Sequence, residues 1–222
     1  MLGEIMEKFR GIVAHGDEVL AIFISSAMSG TYATALQARD KIMQEYPKAR
    51  IEIMDSYTNC IALGMQVIAA AREIKDGANL NKALQAAQYV RDRVRFYFVP
   101  ETLEYLKKGG RIGTASALLG TILNIRPILT VDMKTGMTHL LAKTRGTSAA
   151  INRMLEMMES DRNKYGLKEI LIHHINAPEK AMNLRNMLME RYGMPVDICS
   201  IGPVIGLHTG LGTVGFVYYT EN

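Results

Sequence analysis

The sequence predicts an α/β fold, in which an N-terminal parallel sheet with flanking helices is followed by a C-terminal α+β sandwich. Three observations carry this. First, Leu20-Ala21-Ile22-Phe23-Ile24 is an unbroken apolar run, the pattern of a strand covered on both faces. Second, the residues up to Pro100 read as strand–helix–strand–helix–helix–strand, which implies parallel strands with helices on the sheet faces. Third, the remainder mixes hairpins with two long helices lying on one side.

Leu2–Val13 reads as an amphipathic helix, because Leu2, Ile5, Met6, Phe9 and Ile12–Val13 recur at helical spacing. Gly16-Asp17 turns the chain into the Leu20–Ile24 strand. A helix follows to about Glu45, where Tyr46-Pro47 stops it. Arg50–Met54 is a second strand, ending at Asp55-Ser56. Helices over about Ala62–Lys75 and Asn81–Asp92 lead to a third strand, Arg95–Pro100, with alternating aromatics. Glu101–Lys108 is a short helix broken by Gly109-Gly110, and Thr114–Leu123 is an apolar helix or buried segment. Ile125–Val131 and Met137–Thr144 form a hairpin around Lys134-Thr135-Gly136.

Gly146-Thr147-Ser148 caps a long helix to about Tyr165, with Ile151, Met154, Leu155 and Met158 on its apolar face. Glu169–Ile175 is a strand. Pro178 starts a helix that Gly193 stops after Tyr192. Val196–Ile201 is a strand, a Gly-rich turn follows, and Thr213–Thr220 is the last strand. The domain boundary is expected near Asn124, giving 1–124 and 125–222.

A chain of 222 residues makes one large domain or two small ones. No apolar run is long enough to cross a bilayer. The first residues, MLGEIMEKFRGIV, carry acids and no apolar core before a small-residue cleavage site, so they do not read as a signal peptide. Cys60 and Cys199 stand far apart without metal-type spacing and fit a reduced, cytoplasmic protein. The net charge of +4 is scattered. Its two short clusters, Arg91/Arg93/Arg95 and Lys107/Lys108/Arg111, lack the basic stripe with base-reading elements that nucleic-acid binding needs.

Three stretches are dense in glycine and hydroxyl side chains: Ser25–Tyr32, Gly109–Gly113 and Ile201–Gly215. Such loops are costly to order and are kept where backbone approaches a ligand or a turn is tight. In Ser25–Tyr32 a strand ends in small hydroxyl residues before a helix. That places hydroxyls beside the positive end of the helix dipole, a ready anion site; a plain N-capped helix reads the same way. Gly210–Gly215 spells G-x-G-x-x-G, but an aromatic, β-branched strand follows it where a dinucleotide fold needs a helix. His208 is the best polar candidate among the five histidines. His173 and His174 adjoin in a strand and cannot share a metal, while His15 and His139 look exposed. No cysteine cluster or carboxylate set suggests a metal site. A Ser–His hydrolase could pair Ser29 with His208, oriented by Asp55 or Asp132; the G-x-S-x-G elbow is missing.

ISSAMSGTYATALQAR, DSYTNCIALG, VPETLEYLKKGGRIGTASALLGTILNIRPIL and IGPVIGLHTGLGTVG together resemble the DegV family, the fatty-acid-binding components of bacterial fatty acid kinase. The resemblance implies a DegV-like two-domain architecture with a long-chain fatty acid in a tunnel between the domains. It also implies a separate fatty acid kinase that phosphorylates the ligand's carboxylate for phospholipid synthesis. The chain is then a carrier, not an enzyme, with no cofactor and no metal. By motif, Ser29 and His208 hold the carboxylate, with Ser26, Gly30, Thr31 and Thr209 beside them, and Arg111 faces the kinase. Leu118, Leu119, Ile122, Leu123, Ile125 and Ile128 are dense enough to line a tunnel, or simply to fill a core. The family normally begins with a strand ending in Asp-Ser and a Thr-Ser-x-Pro-Ser loop whose threonine also holds the carboxylate. This chain starts in the helix after that loop. An alternative expectation is therefore a remnant without ligand binding, or a homo-oligomer that covers a bare sheet edge.

Overall fold

The computed structural model describes residues 1–119 and 125–222. In order, the elements are α1 (Leu2–Val13), β1 (Val19–Phe23), α2 (Thr31–Glu45), β2 (Ile51–Asp55), α3 (Cys60–Lys75), α4 (Leu80–Arg93), β3 (Val94–Val99), α5 (Glu104–Lys108), a 3-10 turn (Gly113–Leu118), β4 (Ile125–Asp132), β5 (Met137–Arg145), α6 (Thr147–Tyr165), β6 (Glu169–His174), α7 (Pro178–Tyr192), β7 (Asp197–Ser200), α8 (Pro203–Thr209) and β8 (Val214–Tyr219). By contacts the chain forms two compact units. The first is Met1–Asn59 with Leu63–Asp92 and Met133–Gly136; the second is Cys60–Ala62 with Arg93–Asp132 and Met137–Asn222. The division expected near Asn124 falls outside the described residues, and the contact units change over between Asp92 and Arg93.

In the first unit β1 and β2 pair in parallel, with Val19 opposite Ile51 and Phe23 opposite Asp55. The apolar run of β1 is explained by cover on both faces. Val19, Ala21 and Phe23 pack with Ile51 and Ile53 against Phe9 and Val13 of α1 and Ala38 and Ile42 of α2. Leu20 and Ile22 pack the other way, with Met54, Ala70 of α3 and Ala83 and Ala87 of α4. Alanines at these contacts leave room for the strands' larger side chains. Ile12 departs from the expected apolar face of α1 and is 40% exposed.

The second unit is built on a six-stranded sheet in the order β5-β4-β3-β8-β6-β7. Among the described residues of this sheet only β6 and β7 pair in parallel; β3–β8, β6–β8, β3–β4 and β4–β5 are antiparallel. One face of this sheet is covered by α6 and α7. Met154, Met158, Leu184 and Leu188 are fully buried there against Tyr97, Ile170, Ile172, Phe216 and Tyr218. Burial of each such side chain contributes roughly 1.5–3 kcal/mol. The opposite strand positions carry Phe96 and Phe98, stacked at 5.1 Å, with His173 edge-on to Phe96 at 4.8 Å.

Four expectations are corrected. The third strand, β3, does not extend the parallel sheet; it pairs antiparallel with β8, Val94 opposite Tyr219. Both of its faces are apolar, with Tyr97 and Val99 on the α6/α7 core and Phe96 and Phe98 on the other side, so its sequence marks a buried strand and leaves the partner open. The Gly-rich stretch after β7 is not all turn, because Pro203 at the first helical position opens α8. Gly206 inside that helix leaves Ile175 in close contact, its Cγ2 being 3.4 Å from where a Cβ would stand. The segment expected as an apolar helix or buried stretch over Thr114–Leu123 begins with a 3-10 turn, Gly113–Leu118, in which Ala115 and Leu118 are buried. Ile122, Leu123 and the rest of 120–124 lie outside the described residues. Neither α2 nor α6 is capped by a hydroxyl side chain, since Gly30 and Gly146 occupy the N-cap positions.

Candidate functional site

In the first unit the site is the turn between β1 and α2. Ser25 is fully buried and ties that turn together. Its N–H donates to the Thr58 carbonyl at 2.9 Å, and its own carbonyl accepts from the N–H groups of Met28 (3.0 Å) and Ser29 (3.1 Å). Asp55, at the end of β2 and 8% exposed, braces the same region from beneath. Its two oxygens accept the backbone N–H groups of Ser26 (3.2 Å) and Tyr57 (2.8 Å). This carboxylate is committed to backbone amides, which does not suit it to orienting a histidine.

On this frame Ser29 and Thr31 come together. Their hydroxyls share a hydrogen bond of 2.8 Å, and Ser29 Oγ accepts the Thr31 N–H at 3.3 Å. Both are half-buried, whereas Ser26 and Gly30 are exposed. The pair sits at the amino end of α2, fifteen residues long and without an acidic residue in its first turn. Hydroxyl donors at the positive end of an uncompensated helix dipole attract an anion. The adjoining loop after β2 was less legible. Tyr57 adopts a left-handed φ of 53°, and the buried atoms Thr58 Oγ1, Asn59 Oδ1 and Gln66 Oε1 have no hydrogen-bond partner among the described residues. Its signals in the sequence were the polar run DSYTN after an apolar strand and the place of that run in the DSYTNCIALG stretch.

In the second unit His208, Thr209 and Arg111 are set by α8 and the end of α5. His208 is half-buried in the last turn of α8, not in a loop as expected. Its Nδ1 is buried and has no hydrogen-bond partner among the described residues. The ring lies on Gly109, where a Cβ would stand 2.2 Å from Nδ1. Arg111 Nη1 donates to the Gly109 carbonyl at 2.7 Å, so the arginine fixes the peptide on which the histidine rests. Thr209 Oγ1 donates to the Ile205 carbonyl at 3.2 Å and is thereby spent within its own helix. Gly113 completes the GGRIG stretch: with φ +53°, its Cβ would meet the Thr138 carbonyl oxygen at 1.8 Å, so only glycine fits.

Ile128, a candidate tunnel residue, belongs to the α6/α7 core. Leu118 is buried, Leu119 is 42% exposed and Ile125 is half-buried. Burial pushes the Cys60 thiol up to about 12, which leaves it protonated and unreactive at neutral pH. Among the described residues no group of three His, Cys, Asp or Glu side chains could hold a metal ion. No described helix is long and apolar enough to cross a membrane.

A small parallel sheet sandwiched by helices, joined in one chain to a larger mixed sheet backed by helices, defines a mixed α/β protein of two compact units. A family model described as "Uncharacterised protein, DegV family" matches residues 1–221. The chain belongs to the DegV family. It is 46% identical over 220 residues to a DegV domain-containing protein of Clostridium acetobutylicum, covering 99% of this chain and 75% of that one. Among solved structures, a fatty-acid-binding DegV family protein from Thermus thermophilus is 31% identical with a TM-score of 0.87, covering 99% of this chain and 76% of that one. A fatty-acid-binding DegV family protein from Streptococcus agalactiae is 25% identical with a TM-score of 0.85, over 100% of this chain and 77% of that one.

Proposed function

We propose that this chain binds a long-chain fatty acid and holds its carboxylate for a separate fatty acid kinase, acting as a carrier and not as a catalyst. The observation that carries the reading is the hydroxyl pair Ser29–Thr31 at the amino end of α2, in a chain 31% identical to a DegV protein described as fatty-acid-binding. Ser29 and His208 are the assigned carboxylate contacts, with Ser26, Gly30, Thr31 and Thr209 around them. His208 supports this because its Nδ1 is buried without a hydrogen-bond partner among the described residues. Arg111 is the assigned kinase-facing residue. The setting is cytoplasmic, in keeping with two free cysteines, and no cofactor enters the reading.

The energetics are consistent. Each buried methylene contributes about 0.8 kcal/mol, so a dozen of them give roughly 10 kcal/mol before binding costs. A carboxylate carried in with the tail cancels much of that gain unless charge-assisted hydrogen bonds, each worth about 1.5–3 kcal/mol, receive it. The test is denaturing extraction of the purified protein followed by mass spectrometry, with uptake of a labelled fatty acid in parallel. Release of a long-chain fatty acid and saturable uptake are expected. A preparation free of lipid that also takes up none would remove the reading.

A further inference from the structure

We propose that the turn Met133–Gly136 is a positioning element for the hydroxyl loop Ser25–Thr31, acting through Ser25; this rests on the fatty-acid reading above. The turn joins β4 to β5, yet by contacts Met133–Gly136 groups with the first unit. Ser25 Oγ donates to the Gly136 carbonyl oxygen at 2.8 Å, across 111 positions of sequence. Gly136 has φ +68°, and a Cβ there would stand 2.2 Å from Ser25 Oγ and 3.5 Å from the Ala27 Cβ. Both the backbone conformation and the close approach therefore demand glycine.

Ser25 passes this contact on. With its hydroxyl proton directed at Gly136, the Oγ lone pairs are left to accept the Ala27 N–H at 3.3 Å. One residue's length away, the Ser25 carbonyl accepts the Ser29 N–H at 3.1 Å. Ser25 is fully buried, so removing the Gly136 carbonyl leaves a buried hydroxyl donor unsatisfied. The turn must then rearrange to find a partner. A rearrangement at Ser25 moves Ser29, whose hydroxyl has to meet a carboxylate within a few tenths of an ångström. Ser25 and Gly136 thus set the geometry of acid recognition without being contacts of the ligand.

A purely structural role would weaken every ligand alike, whereas a positioning role weakens only ligands that use the hydroxyl loop. The test measures binding of palmitate and of hexadecanol, which share a tail and differ in the head group, to the unaltered chain, Gly136→Ala and Ser25→Ala. Palmitate affinity is expected to fall about tenfold in both variants while hexadecanol affinity changes by less than about twofold. The preference for the acid then collapses. Ser25→Ala removes one hydroxyl without adding bulk and carries the test if Gly136→Ala does not fold. Parallel loss of both ligands, or an undiminished preference for the acid in Ser25→Ala, overturns the proposal alone. An unaltered chain that binds neither ligand overturns the fatty-acid reading and this proposal together.

Discussion

The imidazole of His208 lies so close to Gly109 that a methyl group on that glycine would stand 2.2 Å from Nδ1 and 3.0 Å from Cε1. Gly109→Ala must therefore push the ring off its seat. Fatty-acid affinity should drop at least about fivefold, with little change in thermal unfolding because His208 is only half-buried. Titration with a fluorescent fatty acid reads this directly. Wild-type affinity in the variant would mean that the ring's position does not matter to binding.

Ser29→Ala removes one of two paired hydroxyls at the amino end of α2. A loss of about 1.5–3 kcal/mol is expected for a hydrogen bond to a charged group, or roughly tenfold to a hundredfold in Kd. Isothermal titration with palmitate gives the number. A change under twofold would separate Ser29 from the carboxylate.

Arg111→Ala should leave fatty-acid affinity within about twofold and slow acyl-phosphate formation by the kinase. The two effects are measured separately, by titration and by a coupled phosphorylation assay. Because Arg111 holds the Gly109 carbonyl at 2.7 Å, abolished binding would instead mean that the guanidinium acts on His208 through Gly109.

Burial pushes the pKa of His173 down to about 3. A histidine kept neutral in the folded state stabilises above its unfolded pKa of about 6.5, and that contribution is lost as pH falls from there toward 3. The slope for one such proton is up to about 1.4 kcal/mol per pH unit. Urea titrations at pH 7, 5.5 and 4.5 should show falling stability in the unaltered chain and a shallower fall in His173→Leu. Equal slopes would assign the acid sensitivity elsewhere.

Tyr218 donates to Asp161 Oδ2 at 2.7 Å and its hydroxyl meets that of Tyr97 at 3.1 Å. Tyr218→Phe should cost about 1–3 kcal/mol, read by denaturant unfolding. Burial raises the Tyr218 pKa, so its contribution is complete below about pH 10 and is lost as pH rises beyond it. The variant should lose less stability than the parent between pH 9 and 11.

Much of the fold was legible where local chemistry and tertiary structure agree. Pro178 and Gly193 bracket α7 as expected, with Gly193 in the left-handed conformation at its end. The apolar run of β1 reported its cover on two faces. Partnership was harder to read. The β3 sequence states that it is a strand with two apolar faces, but nothing local says that β8, more than a hundred residues later, is its neighbour. The helix α8 was hidden because Gly206 and the flanking Gly202 and Gly210 mimic a loop. The helix persists through packing and its proline start. Of the candidate site residues, Ser29 and His208 stood out by residue type. Ser25 and Gly136 did not, since the role proposed for them rests on a contact spanning 111 positions.

The placement of β8 bears on how the molecule is made. It is the last strand in chain order, yet it lies between β3 and β6 at the middle of the six-stranded sheet. Without residues 214–219 the sheet would fall into two parts, β5-β4-β3 and β6-β7, each with an open flank. Open flanks of this kind pair with other chains, so a chain cut just upstream of Val214 should aggregate and not give a shortened folded product.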